Sequence, residues 1–169
     1  FADRERWKKQ NDDNQKKRDK AVEAIAGHLH CEADKVKPIQ VERYRLYQEQ
    51  DGKCLYSGEA IDLKDALDPN GAYEIDHIIP YSLILDNTLH NKVLVKWGEN
   101  QRKGQRTPLM YMAEPQKAAF LERVNGIFNK KSSPWSKRKY EYLLQEALDT
   151  PEARQLVDAW KSRNINDMR

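Results

Sequence analysis

Two adjacent residues and a third further along the chain have the types needed to cut a phosphodiester bond: Asp76 beside His77, then Asn100. A carboxylate is a hard anionic oxygen donor suited to magnesium, and an asparagine adds a neutral carbonyl oxygen. Two protein ligands leave most of an octahedral shell to water and phosphate oxygens. An unperturbed imidazole titrates near pH ~6.5, so His77 can take a proton from water close to neutrality. Hydrolysis of a phosphodiester needs a cation beside the phosphate, a base for the attacking water, and a scaffold holding both. Each residue taken singly also has a plainer reading, Asp76 as a strand-end cap and His77 as a satisfied surface histidine.

The elements around these residues can supply that scaffold. Asp68-Pro69-Asn70-Gly71 signals a turn. The β-branched and aromatic run from Tyr73 to Ile79 predicts a strand ending at Pro80. Asp86-Asn87 marks a loop, and Lys92 to Lys96 predicts a second short strand. Gly98-Glu99-Asn100-Gln101 begins a short helix limited by Gly104 and Pro108. Neighbours on a strand point to opposite faces. Asp76 and His77 therefore share a site only if the strand end is distorted or the cation sits at its tip.

Outside this unit the pattern is helical. Residues 3–30 lack Pro, and the first twenty are almost entirely charged or amide-bearing. Ala21, Val22, Ala24, Ile25, Ala26 and Leu29 follow, which predicts a long helix, solvated first and docked later, that Gly27 and the polar stretch near Ala33 end or bend. Pro38 opens a second helix, which Asp51-Gly52 stops. From Glu114 to Trp160 apolar residues recur at helical spacing, in one set from Ala118 to Phe128 and another from Pro134 and Trp135 to Leu148. Thr150 with Pro151 caps a last helix carrying Leu156, Val157 and Trp160.

Composition bounds the rest. Hydrophobic residues make up 38% and charged residues 34%, and the mean hydropathy is -0.98, which suits a modest core wrapped in solvated helices. Four Trp, eight Tyr and three Phe argue against disorder throughout. The net charge of +3 says little about a nucleic-acid partner, because clustering matters more than the sum. No apolar run reaches the ~18 residues of a membrane span, and no apolar signal-peptide core is present. Cys31 and Cys54 make no disulfide framework, so a reducing cytoplasm is expected. Phe1 in place of an initiator Met, opening a charged helical segment, suggests a domain excised from a longer chain.

Several groups look chemical and carry plainer readings. His90 sits beside Asn91 but would open the second strand on the wrong side for the site. His28, His30, Cys31 and Glu32 have no metal-ligand spacing. Tyr44, Tyr47 and Tyr56 read as core. Arg102, Lys103 and Arg106 directly follow Asn100 and would neutralise phosphates. The cluster Lys130, Lys131, Lys137, Arg138 and Lys139 fits a phosphate contact or a solvated face equally well.

Asp76-His77-Ile78-Ile79-Pro80, then Asn91-Lys92-Val93-Leu94, then Glu99-Asn100-Gln101-Arg102-Lys103-Gly104, strongly resembles the HNH nuclease motif. More narrowly it resembles the HNH domain of the RNA-guided DNA endonucleases of type II CRISPR systems. Cys54-Leu55-Tyr56-Ser57-Gly58 and the closing Asn166-Asp167-Met168-Arg169 add to the likeness, which is close over roughly Arg43 to Pro108. The resemblance implies an α+β, mostly helical fold: a small two-stranded antiparallel ββα-metal core braced by several helices. It implies Asp76 and Asn100 as metal ligands, His77 as general base, and Asn91 as the structural residue that aims His77. Lys103 falls where the family often has a lysine facing the phosphate backbone. Magnesium is the implied ion, with manganese able to substitute. Ser57 stands where a second Cys would be needed, so no structural zinc is expected and helices must brace the site.

The implied organisation is a connector helix over 1–36, the nuclease domain over 37–150 and a C-terminal helix or linker over 151–169. The implied partners are the DNA target strand, a guide RNA held by the parent enzyme and a RuvC-like domain of the same chain, in the bacterial cytoplasm. The alternatives are a free-standing HNH homing or restriction endonuclease, or a non-catalytic helical nucleic-acid-binding module.

Overall fold

The computed structural model describes residues 1–131 and 133–167. Of the closing run, Met168 and Arg169 lie outside the described residues, as do the side chains of Pro134 and Trp135.

Helix α1 runs from Ala2 to Leu29. Its residues 2–20 are exposed. Ala21 and Ile25 then dock against Val41 and Leu67 in a small apolar cluster. Gly27 does not end the helix. The stop comes at His30, whose left-handed backbone (φ 52°) donates its N–H to Ala26. Helix α2, Pro38–Glu49, starts at the proline, with the Gln40 side chain accepting from the Lys37 N–H, and terminates in the left-handed pair Asp51 (φ 53°) and Gly52 (φ 69°). A short helix α3, Leu63–Leu67, is capped by Asp62, whose carboxylate accepts from the Asp65 N–H at 2.8 Å. Buried Arg43 of α2 donates to the carbonyls of Ala66 and Tyr73, both at 3.0 Å, tying α2 to α3 and to the strand that follows.

Strand β1, Tyr73–His77, pairs antiparallel with β2, Lys92–Lys96, in the register Asp76 opposite Val93 and His77 opposite Lys92. Its expected extension to Pro80 stops at His77, because the Ile78 N–H turns to the Asn91 carbonyl and Ile79 bonds the Asn91 side chain. The outer edge of β2 is not left bare. Buried Gln50 accepts from the Leu94 N–H at 2.7 Å and donates to its carbonyl at 2.8 Å, doing the work of a third strand at that point. Between the strands lie helix α4, Tyr81–Ile84, and a 3-10 turn over Leu89–Asn91. After β2 come α5, Trp97–Lys103, and α6, Pro108–Tyr111. Helices α7 (Gln116–Phe128), α8 (Pro134–Leu143) and α9 (Pro151–Asp167) complete the chain.

The main core joins both strands to these last helices: Tyr73 of β1, Ile78 just after it, and Val93, Leu94 and Val95 of β2 share one cluster with Phe120, Val124, Phe128, Tyr142, Leu143, Val157 and Trp160. Packing therefore crosses residue 150, and α9 belongs to the same core as the hairpin. The fold is α+β and mostly helical, with one two-stranded sheet among the described residues. Among those residues no helix is long and apolar enough to cross a membrane.

Candidate active site

One open, polar cleft of about 430 Å³ lies at the tip of β1. Its walls include Asp76 and His77 from the strand end, Tyr81 from α4, and Asn100 and Lys103 from α5. The alternation of strand side chains is overcome because His77 is the last strand residue, and the chain turns away at Ile78. The cleft wraps around that end, taking Asp76 from one side and His77 from the other.

Asp76 is 7% exposed. Its Oδ2 accepts from the Tyr56 hydroxyl at 2.7 Å and lies 3.0 Å from the Lys103 ammonium. Burial pushes its carboxyl up from the ordinary carboxylate range, and the Lys103 charge and Tyr56 hydrogen bond only partly offset this. Burial likewise lowers Lys103 against the opposing pull of Asp76. Tyr56 is wholly buried. Burial first, and Asp76 second, raise its phenol well above the usual value, so it stays a donor to the carboxylate.

Lys103 corrects the sequence reading. It is 1% exposed and turned inward, spending its ammonium on Asp76 and, at 2.8 Å, on the His77 carbonyl. Arg102 pairs with Glu99. Arg106 caps α5, donating to the carbonyls of Arg102 and Lys103. Neither arginine lines the cleft.

Asn100 donates its amide Nδ2 to Glu74 Oε2 at 2.7 Å, which leaves Oδ1 as the acceptor end of the side chain. Its helix is anchored one residue earlier: buried Glu99 accepts from Tyr111 of α6 at 2.8 Å and from Gln116 of α7 at 3.1 Å. Arg123 of α7 donates to the Leu55 and Tyr56 carbonyls, so one helix steadies the supports of both ligand candidates. Gly58 (φ +78°) lets that arginine approach, since a Cβ there would lie 2.4 Å from its guanidinium.

His77 is half-buried. Its Nε2 lies 2.9 Å from Asn87 Oδ1, and its ring packs against Tyr81 with centroids 5.5 Å apart. Asn91 is fully buried. Its Oδ1 accepts from the Ile79 N–H, and its Nδ2 donates to the carbonyls of Ile79 and Asp86, all at 2.9 Å. His90 points away from the cleft into a buried group with Asp86 and Thr88, under the ring of Tyr142. Among the described residues no three His, Cys, Asp or Glu side chains form a metal cluster, at residues 28–32 or elsewhere.

The donor set fits a hard divalent cation. One carboxylate and one amide side chain line a polar cleft, and the carboxylate already draws a cationic group to its oxygens. The partners Tyr56, Glu74, Asn87 and inward Lys103 were not picked out as supports of the site from sequence. Glu74 alone left a signal, standing two residues before Asp76 and so on the same strand face.

Residues 54–109 match the family described as HNH endonuclease. The chain is 47% identical over 108 residues to the CRISPR-associated endonuclease Cas9 of Staphylococcus aureus, covering 62% of this chain and 10% of that protein. It is 39% identical over 104 residues to a Cas9 of Streptococcus thermophilus, covering 62% of this chain and 9% of the relative. A crystal structure of Streptococcus thermophilus Cas9 in complex with the GGAA PAM superposes with a TM-score of 0.68 at 28% identity, over 95% of this chain and 16% of that one. The chain thus spans about a tenth of the length of the relatives it matches.

Proposed function

We propose that this chain, an HNH nuclease domain of the type II CRISPR endonuclease class, hydrolyses one strand of DNA with a single magnesium ion. The observation that carries the reading is the convergence of Asp76, His77 and Asn100 on one polar cleft at the tip of the hairpin. Asp76 and Asn100 would hold the ion, which when bound neutralises charge on the scissile phosphate; manganese is expected to substitute.

The chain's own residues do the rest. His77 accepts a proton from a water in the cleft. The water oxygen forms the new bond to phosphorus as the bond to the 3′ oxygen breaks in line; the leaving 3′ oxygen takes a proton from solvent water, giving a 5′ phosphate and a 3′ hydroxyl. Tyr56 and Lys103 fix the Asp76 carboxylate, Glu74 turns the Asn100 carbonyl toward the cleft, and Asn91 pins the loop beside His77. Arg102 and Arg106 supply positive charge beside the cleft for the incoming backbone. The substrate is the target strand paired to a guide RNA held by the parent enzyme in the bacterial cytoplasm, with a RuvC-like domain of the same chain as neighbour. Sequence choice then lies in base pairing with the guide, as the handling of targets by this class of enzyme requires.

The test is strand-resolved cleavage by the guide-loaded parent endonuclease carrying this domain. His77→Ala should leave the guide-paired strand intact while the displaced strand is still cut, with the thermal unfolding of the isolated chain unchanged. Cutting of both strands at the normal rate would reject His77 as the base.

A further inference from the structure

We infer that Asn87 is the positioning residue for His77: it fixes which ring nitrogen carries the hydrogen, and so which one receives the proton of the attacking water. The inference rests on the reading of His77 as base. A neutral imidazole has one N–H and one lone pair, and the partner of one nitrogen decides the state of the other. Nε2 of His77 faces the Asn87 carbonyl oxygen at 2.9 Å. A carbonyl oxygen only accepts, so Nε2 carries the hydrogen and Nδ1 keeps the lone pair for the water. Tyr81 lies against the ring at 5.5 Å and limits its rotation.

Asn87 is exposed, but the backbone presenting it is pinned on both sides. The Asp86 carboxylate accepts from the Thr88 N–H at 2.9 Å, closing a turn around Asn87. The Asn91 N–H donates to the Thr88 carbonyl at 3.0 Å. The Asn91 side chain bonds Ile79, two residues after His77, and Asp86, one residue before Asn87. One buried amide therefore spaces the segment carrying the base and the segment carrying its partner. The backbone on both sides of the 2.9 Å contact is thus held by the fold, which keeps Asn87 within reach of the ring. This is the arrangement by which a base is aimed by a third group.

Long-range proton–nitrogen NMR on the nitrogen-15-labelled chain reads the tautomer without any cleavage, with the His77 ring assigned by its loss in His77→Gln. The wild type should show the Nε2–H form. Asn87→Ala should show a mixture or the Nδ1–H form. Asn87→Asp, whose carboxylate still accepts from Nε2–H, should keep the wild-type form. In strand-resolved cleavage, Asn87→Ala should lower kcat about ten- to a hundredfold with KM for DNA unchanged, as loss of an orienting partner typically does, and Asn87→Asp should restore most of it. An Nδ1–H wild type, or an Asn87→Ala variant with wild-type tautomer and kcat, would overturn the inference. A fully active His77→Ala enzyme would instead remove the base assignment, and the kinetic half of this inference with it.

Discussion

The carboxylate of Asp76 is held in place before any metal arrives. Burial opposes its charge, yet it keeps a phenol at 2.7 Å and an ammonium at 3.0 Å. A buried ion pair is weak evidence for stability, because desolvation of both groups consumes much of their attraction. The opposed directions at Asp76, raised, and Lys103, lowered, say the same of this pair. What the arrangement supplies is a carboxylate with one position. Tyr56→Phe isolates the phenol's share: the ring and its packing stay, and one charge-assisted hydrogen bond goes. Such bonds contribute about 1.5–3 kcal/mol, so the urea midpoint should fall correspondingly, and magnesium binding measured by calorimetry should weaken with it. An unchanged midpoint and affinity would mean that Lys103 alone fixes the carboxylate.

The loop between the strands shows how an element is stiffened without regular structure. Burial pushes the Asp86 carboxyl up, but hydrogen bonds from His90 and from the Thr88 hydroxyl and backbone outweigh it and leave the group far below the usual range. Tyr142 donates to the same carboxylate at 2.9 Å. A carboxyl with a depressed folded pKa contributes stability above its unfolded value, about 3.9, and that contribution fades as pH falls through the lower folded value. The wild type should therefore exceed Asp86→Asn in melting temperature by a margin that shrinks from pH 5 to pH 2. A margin constant over that range would show that the charge of Asp86 adds nothing.

The same scale explains what was legible in the sequence. The two strands and α5 could be read because β-branched runs lie between turn residues. The start of α2 at Pro38 and its stop ahead of Gly52 follow from proline's fixed φ and glycine's freedom at positive φ. Helices α3, α4 and α6 are too short to show a period and arise from Asp62, Pro80 and Thr107 at their starts. The convergence of Asp76, His77 and Asn100 was legible as a motif. Their supports were not, because Tyr56, Asn87 and inward Lys103 meet the site only through tertiary packing. Lys103 misleads most, since its place in a basic run reads as surface while α5 turns it under the strand.

At the scale of the molecule the two ends of the chain behave differently. Residues 1–20 are exposed and enter neither core, whereas α9 packs against α4 and buries Ala153, Val157 and Trp160. The Trp160 ring meets Tyr142 with centroids 5.0 Å apart, and Tyr142 in turn holds Asp86 beside Asn87. The last helix is thereby linked to the loop that faces His77 through two aromatic rings and one carboxylate. Removing residues 1–18 should leave the melting temperature nearly unchanged, since these residues are exposed and bury no apolar surface against either core. Trp160→Ala should cost about 3–5 kcal/mol, the range for a large aromatic deleted from a core. It should also loosen the 79–91 loop, seen as faster amide exchange at Asn87 and Thr88 than at β1. Faster exchange spread evenly over hairpin and loop would show that α9 braces the core as a whole, with no particular path to the site.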